Sequence, residues 1–135
     1  MNDEKSLFEK YREELKNDLK IDRLALEDKA LSVPALKGKW VGRLMTHKIE
    51  LSELEEAYES AMSALIEKIM HESPVAITKV TAAATAQSND SIKKVKKAIK
   101  ETKIIIEFLE KLEKVFSNLS YDLTNVINVI KMETT

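Results

Sequence analysis

The sequence contains no cysteine, only two glycines and two prolines, and a single tryptophan among few aromatic residues. Without cysteine, the chain has neither disulfide bonds nor thiolate chemistry. The scarcity of Gly and Pro leaves few turns, and the abundance of Ala, Leu, Lys and Glu favours helices. A length of 135 residues suits one domain with a modest core. We therefore expect a single all-α domain, residues 1–135, built from long amphipathic helices.

Long apolar runs are absent as well. No stretch approaches the roughly 20 apolar residues that a transmembrane helix needs. The charged start, MNDEKSLFEK, lacks the apolar segment of a secretory signal. We expect a cytoplasmic protein with no membrane partner.

Groups that support catalysis or hold a metal are sparse. His47 and His71 are separated by roughly 36 Å along one predicted helix, so they cannot share a metal within one subunit. The sequence has no glycine-rich phosphate loop and no local Ser/His/Asp signature. We predict a protein that is not an enzyme and has no catalytic residues, no metal site and no cofactor.

The apolar spacing predicts a first helix over residues 3–20. Asp22 is suited to cap a short second helix, because its carboxylate accepts free backbone N–H groups. Val33 precedes a proline and is disfavoured in helical geometry, whereas Pro34 fits the first turn of a new helix. A long helix is therefore expected over residues 34–71.

Steps of three and four residues between apolar positions predict a coiled-coil-like seam on each long helix. The first seam comprises Leu36, Trp40, Leu44, His47, Leu51, Leu54, Tyr58, Ala61 and Leu65. The second comprises Ile92, Val95, Ile99, Thr102, Ile106, Leu109, Leu112, Phe116, Leu119, Leu123, Val126 and Ile130. Asp90 or Ser91 is expected to cap the C-terminal helix, residues 92–135. Residues 73–91 connect it to the N-terminal helical region, residues 1–72, and the conformation of this connection stays open between a short strand and a weak helix.

The C-terminal helix has more apolar surface than one helical partner can cover. A chain this small has little else to cover it, so we expect the helix to pack against copies of itself in a homo-oligomer. The residues expected at that oligomerisation interface are Phe116, Leu119, Leu123, Val126, Ile127 and Ile130.

The net charge of −1 hides an uneven distribution. Residues 1–72 carry 12 basic and 16 acidic side chains, whereas residues 73–135 carry 10 and 7. The basic excess lies in SIKKVKKAIKETK, which contains Lys93, Lys94, Lys96, Lys97, Lys100 and Lys103. On a helix most of these lysines share one broad face. Two interpretations stay open from this pattern: the face attracts phosphates through counterion release, or it is a solvated helix surface.

A second basic segment surrounds the tryptophan in GKWVG. Lys37, Lys39 and Arg43 flank Trp40, and cations beside an aromatic ring can engage phosphate and base together. The alternative is a core tryptophan in a helix loosened by its glycines. Gly38 and Gly42, four residues apart, could also let another helix approach closely.

Two stretches give the chain a resemblance to a known family. The first is ELKNDLKIDRLALEDKALSVPALKGKW, with Leu15, Asp18, Ile21, Asp22, Leu26, Ala30, Pro34, Lys39 and Trp40 as landmarks. The second is EFLEKLEKVFSNLSYDLTNVI, with Phe108, Leu109, Ser117, Asn118, Tyr121, Asn125 and Ile127. In order and spacing they resemble the UvsY-type recombination mediators of T-even-like bacteriophages.

The resemblance implies a protein that binds single-stranded DNA and helps a RecA-like phage recombinase displace single-strand-binding protein. It also implies a homo-oligomeric ring, hexameric or heptameric, assembled through the C-terminal helices, in the cytoplasm of the infected host. A ring would make a modest lysine face multivalent. The alternative from another class is an oligomeric helical scaffold that recruits a protein partner without binding nucleic acid.

One segment departs from the family pattern. Members usually carry basic and aromatic residues late in the long helix, whereas AMSALIEKIMHE keeps only Lys68 and His71 as basic residues. We therefore expect the DNA contacts at the six lysines of residues 93–103. Secondary candidates for DNA binding are Lys37, Lys39, Trp40, Arg43 and Lys68.

Overall fold

The structure of the protein, a computed structural model, describes residues 5–134. Within this range the chain forms α1 (Leu7–Asp18), a 3-10 turn (Arg23–Ala25), α2 (Leu26–Glu72), α3 (Lys79–Ala86) and α4 (Asp90–Thr134). No strand occurs among these residues, so the predicted all-α class is confirmed. The predicted beginning of the first helix at residue 3 lies outside the described residues.

Side-chain caps define the first two elements. The Ser6 hydroxyl accepts a hydrogen bond from the Glu9 backbone N–H at 3.2 Å and so begins α1. The Asp22 carboxylate accepts one from the Leu24 N–H at 2.9 Å. The predicted cap at Asp22 is therefore confirmed, although it begins a 3-10 turn that passes directly into α2.

The prediction that Pro34 begins a new helix is wrong, because α2 continues through it. A proline inside a helix removes one backbone hydrogen bond and crowds the preceding turn. Two local features accompany it here. Val33 is almost fully buried, whereas Pro34 itself faces solvent. In the preceding turn the Ser32 hydroxyl donates to the Lys29 carbonyl at 2.7 Å. Burial of the flanking apolar residue favours a continuous helix over the break that local preference predicts.

The connecting segment contains a helix and no strand. The Thr78 hydroxyl accepts from the Thr81 N–H at 3.1 Å and caps α3, while Ala82 and Ala86 are fully buried. Small side chains thus let this short helix lie close to its neighbours.

The cap of α4 differs from the prediction. Asn89 takes this role instead of Asp90 or Ser91, because its Oδ1 accepts from the N–H groups of Ser91 and Ile92 at 2.9 and 3.3 Å. The helix begins at Asp90.

The described chain forms two compact units, residues 5–44 with 108–134 and residues 45–107. Both long helices contribute a segment to each unit. The core of the first consists of Val33, Trp40, Leu44, Leu109, Leu112, Phe116 and Leu123. That of the second consists of His47, Ala82, Ala86, Ile92, Thr102 and Ile106. The predicted coiled-coil-like seams therefore supply the buried faces of both helices. None of the described helices combines the length and hydrophobicity that crossing a lipid bilayer demands.

Candidate nucleic-acid interface

The predicted basic run lies on the first half of α4, and all six of its lysines are exposed. They alternate with seam residues of the same helix, such as the buried Ile92 and Thr102. The core therefore fixes which side of α4 the charges occupy, as the helical period predicts.

Three of the six lysines have polar partners. The Lys96 ammonium donates to Gln87 Oε1 at 2.7 Å. Lys97 and Lys103 lie 4.0 Å from carboxylate oxygens of Glu101 and Glu55. Exposed ion pairs at that distance are weak and easily screened, so they hold neither ammonium firmly.

Lys93, Lys94 and Lys100 have no acidic partner among residues 5–134. Lys93 and Lys100 share one helix face with Lys97, at spacings of four and three residues. In this row Lys93 and Lys100 have no acidic partner within residues 5–134, and Lys97 has only the weak 4.0 Å ion pair with Glu101.

The fold brings Lys68 of α2 to the start of the same helix. Its exposed side chain lines a shallow cleft of ≈ 320 Å³ together with Asn89, Ser91 and Ile92. The sequence offered no spacing that relates Lys68 to the basic run, because the contact depends on how α2 and α4 pack.

Trp40 is a core residue, only 2% exposed. Its indole N–H donates to Asp18 Oδ2 at 2.8 Å, and Tyr11 packs edge-on against it with ring centres 5.5 Å apart. The covered indole is not available to stack on a base, so the core interpretation is the correct one.

The cations that flank Trp40 face carboxylates of α1. The Lys39 ammonium lies 2.6 Å from Asp18 Oδ2 and 3.0 Å from Glu14 Oε2. Arg43 forms a two-pronged ion pair with Glu14, in which Nη2 donates to Oε1 at 3.3 Å. The Arg43 guanidinium also lies 4.8 Å from the Trp40 ring centre and 5.0 Å from that of Tyr11.

These contacts stabilise the charged forms of Glu14, Lys39 and Arg43. Hydrogen bonding to Arg43 is the main reason that the pKa of Glu14 lies below its ordinary value. Desolvation alone would lower the pKa of Lys39, but hydrogen bonds to Asp18 and Glu14 outweigh it and raise that pKa. Both cations are therefore neutralised within the subunit.

Lys37 and the two glycines complete the segment. The Lys37 ammonium donates to the Ser117 hydroxyl at 3.1 Å. Beyond its own stretch of helix, a Cβ atom on Gly38 or Gly42 would meet no atom of the described chain within 4 Å. The expectation that these glycines let another helix approach closely is not met within the described chain.

The predicted oligomerisation residues differ in exposure, and Leu119 and Ile127 are half-buried. Phe116 and Leu123 are buried in the subunit's own core, so they cannot contact another copy in this conformation. Val126 and Ile130, in contrast, are 46% and 44% exposed. Both line a groove of ≈ 540 Å³ with Ile21, Arg23, Leu26, Leu119, Asp122 and Leu123. Ile127 lines a neighbouring cavity together with Ile130.

Sequence periodicity missed one exposed residue beside this groove. Leu24, in the 3-10 turn, is 96% exposed. It lies outside every regular helical stripe, and only the folded position of the turn places it near the end of α4. No cluster of three or more His, Asp or Glu side chains within residues 5–134 is arranged to hold a metal.

Comparison with known proteins identifies the family. No curated protein sequence matches the chain. A family model described as "Recombination, repair and ssDNA binding protein UvsY" matches residues 14–135. Crystal structures of the bacteriophage T4 recombination mediator protein UvsY share the fold. One has a TM-score of 0.82 at 19% identity, covering 98% of this chain and 100% of that chain. Another has a TM-score of 0.81 at 18% identity, covering 95% and 99%. Because the family model extends over nearly the whole sequence, the chain belongs to the UvsY family of recombination, repair and single-stranded DNA-binding proteins.

Proposed function

We propose that the protein is a recombination mediator that binds single-stranded DNA and promotes loading of a RecA-like recombinase onto strands covered by single-strand-binding protein. Its membership in the UvsY family supports this function. The observation that carries the DNA contact is the exposed α4 face on which Lys93, Lys94 and Lys100 have no acidic partner among the described residues. Lys97, with its long ion pair, belongs to the same face, and Lys68 adds a further cation at the cleft beside the start of α4.

The chemistry of such a face suits binding without sequence preference. Lysine ammonium groups release counterions from phosphates and do not require base recognition. The row from Lys93 to Lys100 is about 10 Å long at 1.5 Å per residue, so a single subunit contacts few phosphates. One subunit alone therefore provides modest affinity.

Repetition of the subunit offsets that weakness. The exposed Val126 and Ile130 provide apolar surface for self-association, and we assign a homo-oligomeric ring, hexameric or heptameric, to the protein. A ring presents the lysine row several times to one strand, which raises the overall affinity without any new kind of contact.

Recombinase loading requires that the mediator bind the DNA strand and the recombinase at the same time. It involves no covalent step. A recombinase nucleates poorly on a strand that another protein already covers. A mediator that holds both the strand and the recombinase in the host cytoplasm lowers this kinetic barrier by raising their effective concentration.

The direct test is fluorescence anisotropy with a labelled oligothymidylate across a salt series. We expect log K to fall with log salt by roughly 0.7 for each phosphate neutralised. The triple variant Lys93→Gln/Lys97→Gln/Lys100→Gln should bind more weakly and flatten that slope, with an unchanged circular dichroism spectrum.

The matched control is Lys10→Gln/Lys16→Gln/Lys20→Gln, which removes the same charge from exposed lysines of the N-terminal region. Equal losses in both triples would show that only net charge matters, and the lysine row would then have no special role. Failure of the wild type to bind at low salt would favour the scaffold function.

A further inference from the structure

Helix α1 is attached to the rest of its unit by a single stripe of side chains. None of its residues is buried, and only one face, including Phe8, Tyr11 and Leu15, is even half-covered. Its ring contacts are edge-on, with Phe8 and Phe108 centred 5.2 Å apart. An isolated helix of 12 residues is marginal in water. The helix therefore depends on these contacts, and the absence of any buried residue makes it a segment that can open locally.

What α1 covers is a basic and aromatic surface. Glu14 and Asp18 place carboxylates on Lys39 and Arg43, and Asp18 also accepts the Trp40 indole N–H. Arg43 recognises a carboxylate and a phosphate by the same geometry, two parallel N–H donors facing two oxygens. The carboxylates of α1 therefore occupy positions at which phosphate oxygens would satisfy the same cations.

We propose that α1 is an acidic cover over a second nucleic-acid site, in which Lys39 and Arg43 exchange Glu14 and Asp18 for phosphates of single-stranded DNA. This inference deepens the proposed function, because it adds a second contact for the same strand. The lysines of α4 provide the first contact, and the covered cations become available only when α1 undocks.

The strength of the covering contacts permits such an exchange. The side chains of Lys39, Arg43 and Glu14 are 33%, 29% and 39% exposed, so solvent and salt already weaken their ion pairs. A DNA strand that is held by the α4 lysines raises the local phosphate concentration around Lys39 and Arg43 of the same molecule. A polyanion at high local concentration thus competes with two carboxylates on a marginal helix.

The uncovering variant is Glu14→Gln/Asp18→Asn, which keeps side-chain size and an acceptor for the indole N–H. Anisotropy with oligothymidylate should show about three- to ten-fold tighter binding. The salt slope should steepen by roughly 0.7 for each additional phosphate contacted. Adding Lys39→Gln/Arg43→Gln to this variant should abolish the gain.

The control variant is Glu53→Gln/Glu56→Gln, which removes the same charge from exposed acids of α2. An equal gain in the control would mean that net charge explains the effect, and would overturn the cover. An equal gain toward poly-glutamate would mean that the surface binds acidic polymers in general, which would overturn a nucleic-acid site.

Hydrogen exchange tests the cover in the unmodified protein. Addition of oligothymidylate should accelerate amide exchange within residues 7–18, whereas protection or no change there would overturn the proposal. The two proposals fail separately. If the wild type binds no DNA, the proposed function fails, yet binding by Glu14→Gln/Asp18→Asn would still support the cover. If neither binds, both are wrong.

Discussion

The Lys96 ammonium lies 2.7 Å from Oε1 of Gln87, the residue that follows α3. The amide nitrogen of Gln87 in turn donates to the Tyr58 hydroxyl of α2 at 2.8 Å. This chain of hydrogen bonds ties three helical segments together inside one compact unit. Lys96 therefore contributes to packing, although in the sequence it is one of six equivalent lysines.

We predict that Lys96 and Lys100 differ when each is replaced by glutamine. Lys100→Gln should weaken DNA binding and reduce the salt slope by roughly 0.7, because a free ammonium is lost. Lys96→Gln should reduce the slope less, and should lower the free energy of unfolding by about 0.5–1 kcal/mol through loss of its hydrogen bond. Anisotropy and urea denaturation measure the two effects, and identical behaviour of the two variants would contradict the distinction.

Trp40→Phe should be destabilising by about 2 kcal/mol, because it leaves a largely covered Asp18 without its indole donor and opens a small cavity. Urea denaturation followed by circular dichroism measures this loss. In the Asp18→Asn background the same replacement should cost less, because a hydrogen bond to a neutral amide oxygen contributes less than one to a carboxylate. A loss of the same size in both backgrounds would show that packing alone explains it.

Trp40 also illustrates which structural features the sequence pattern predicts. Its place in a seam with steps of three and four predicted a helix and a buried face, and both are confirmed. The Asp22 cap was predictable for a similar reason, since it depends on neighbours within three residues. The buried positions of α4 follow the pattern as far as Leu123.

Features that depend on tertiary contacts were not predictable in this way. The local preference of Pro34 predicted a break at this point. Burial of Val33 overrides that preference, and α2 is continuous. The pairing of Lys39 and Arg43 with acids of α1 joins residues more than 20 positions apart. The sequence does not distinguish a cation that is free on the surface from one that is paired with a distant carboxylate. The folded structure shows which cations are paired.

Gly38→Ala should stabilise the protein by about 0.5–1 kcal/mol, because alanine reduces the entropy of the unfolded helix segment. The added methyl group would meet no atom within 4 Å, so no clash offsets the gain. Thermal denaturation measures the shift. A destabilised variant would indicate that the open surface beside Gly38 is occupied in the assembled protein, which light scattering would then detect as a change in mass.

Glu14 should make stability depend on pH in the acidic range. Hydrogen bonding to Arg43 lowers its pKa in the folded state, so the unfolded chain takes up the proton first as pH falls. The contribution of Glu14 to the free energy of unfolding is fully present above the ordinary glutamate pKa of about 4.3. It is lost as pH falls through the lowered pKa of the folded state. Because the side chain is 39% exposed, the contribution should stay below about 1 kcal/mol. The difference between wild type and Glu14→Gln in urea denaturation should be constant at neutral pH and shrink below about pH 4. A difference that grows on acidification would contradict this assignment.

Ile130→Asp should disrupt self-association without unfolding the subunit. Ile130 is 44% exposed at the rim of the apolar groove, so in the free subunit an aspartate there remains hydrated, whereas burial against another copy would leave its charge uncompensated. Light scattering should show a smaller particle, and circular dichroism should show unchanged helicity.

Leu123→Asp should instead unfold the subunit, since Leu123 lies in the subunit's own core. Asn128→Asp is the control, because it adds the same charge at an exposed polar position of α4. An unchanged mass for Ile130→Asp would exclude this face of α4 from the interface, and an equal decrease in mass for Asn128→Asp would show that charge alone drives dissociation.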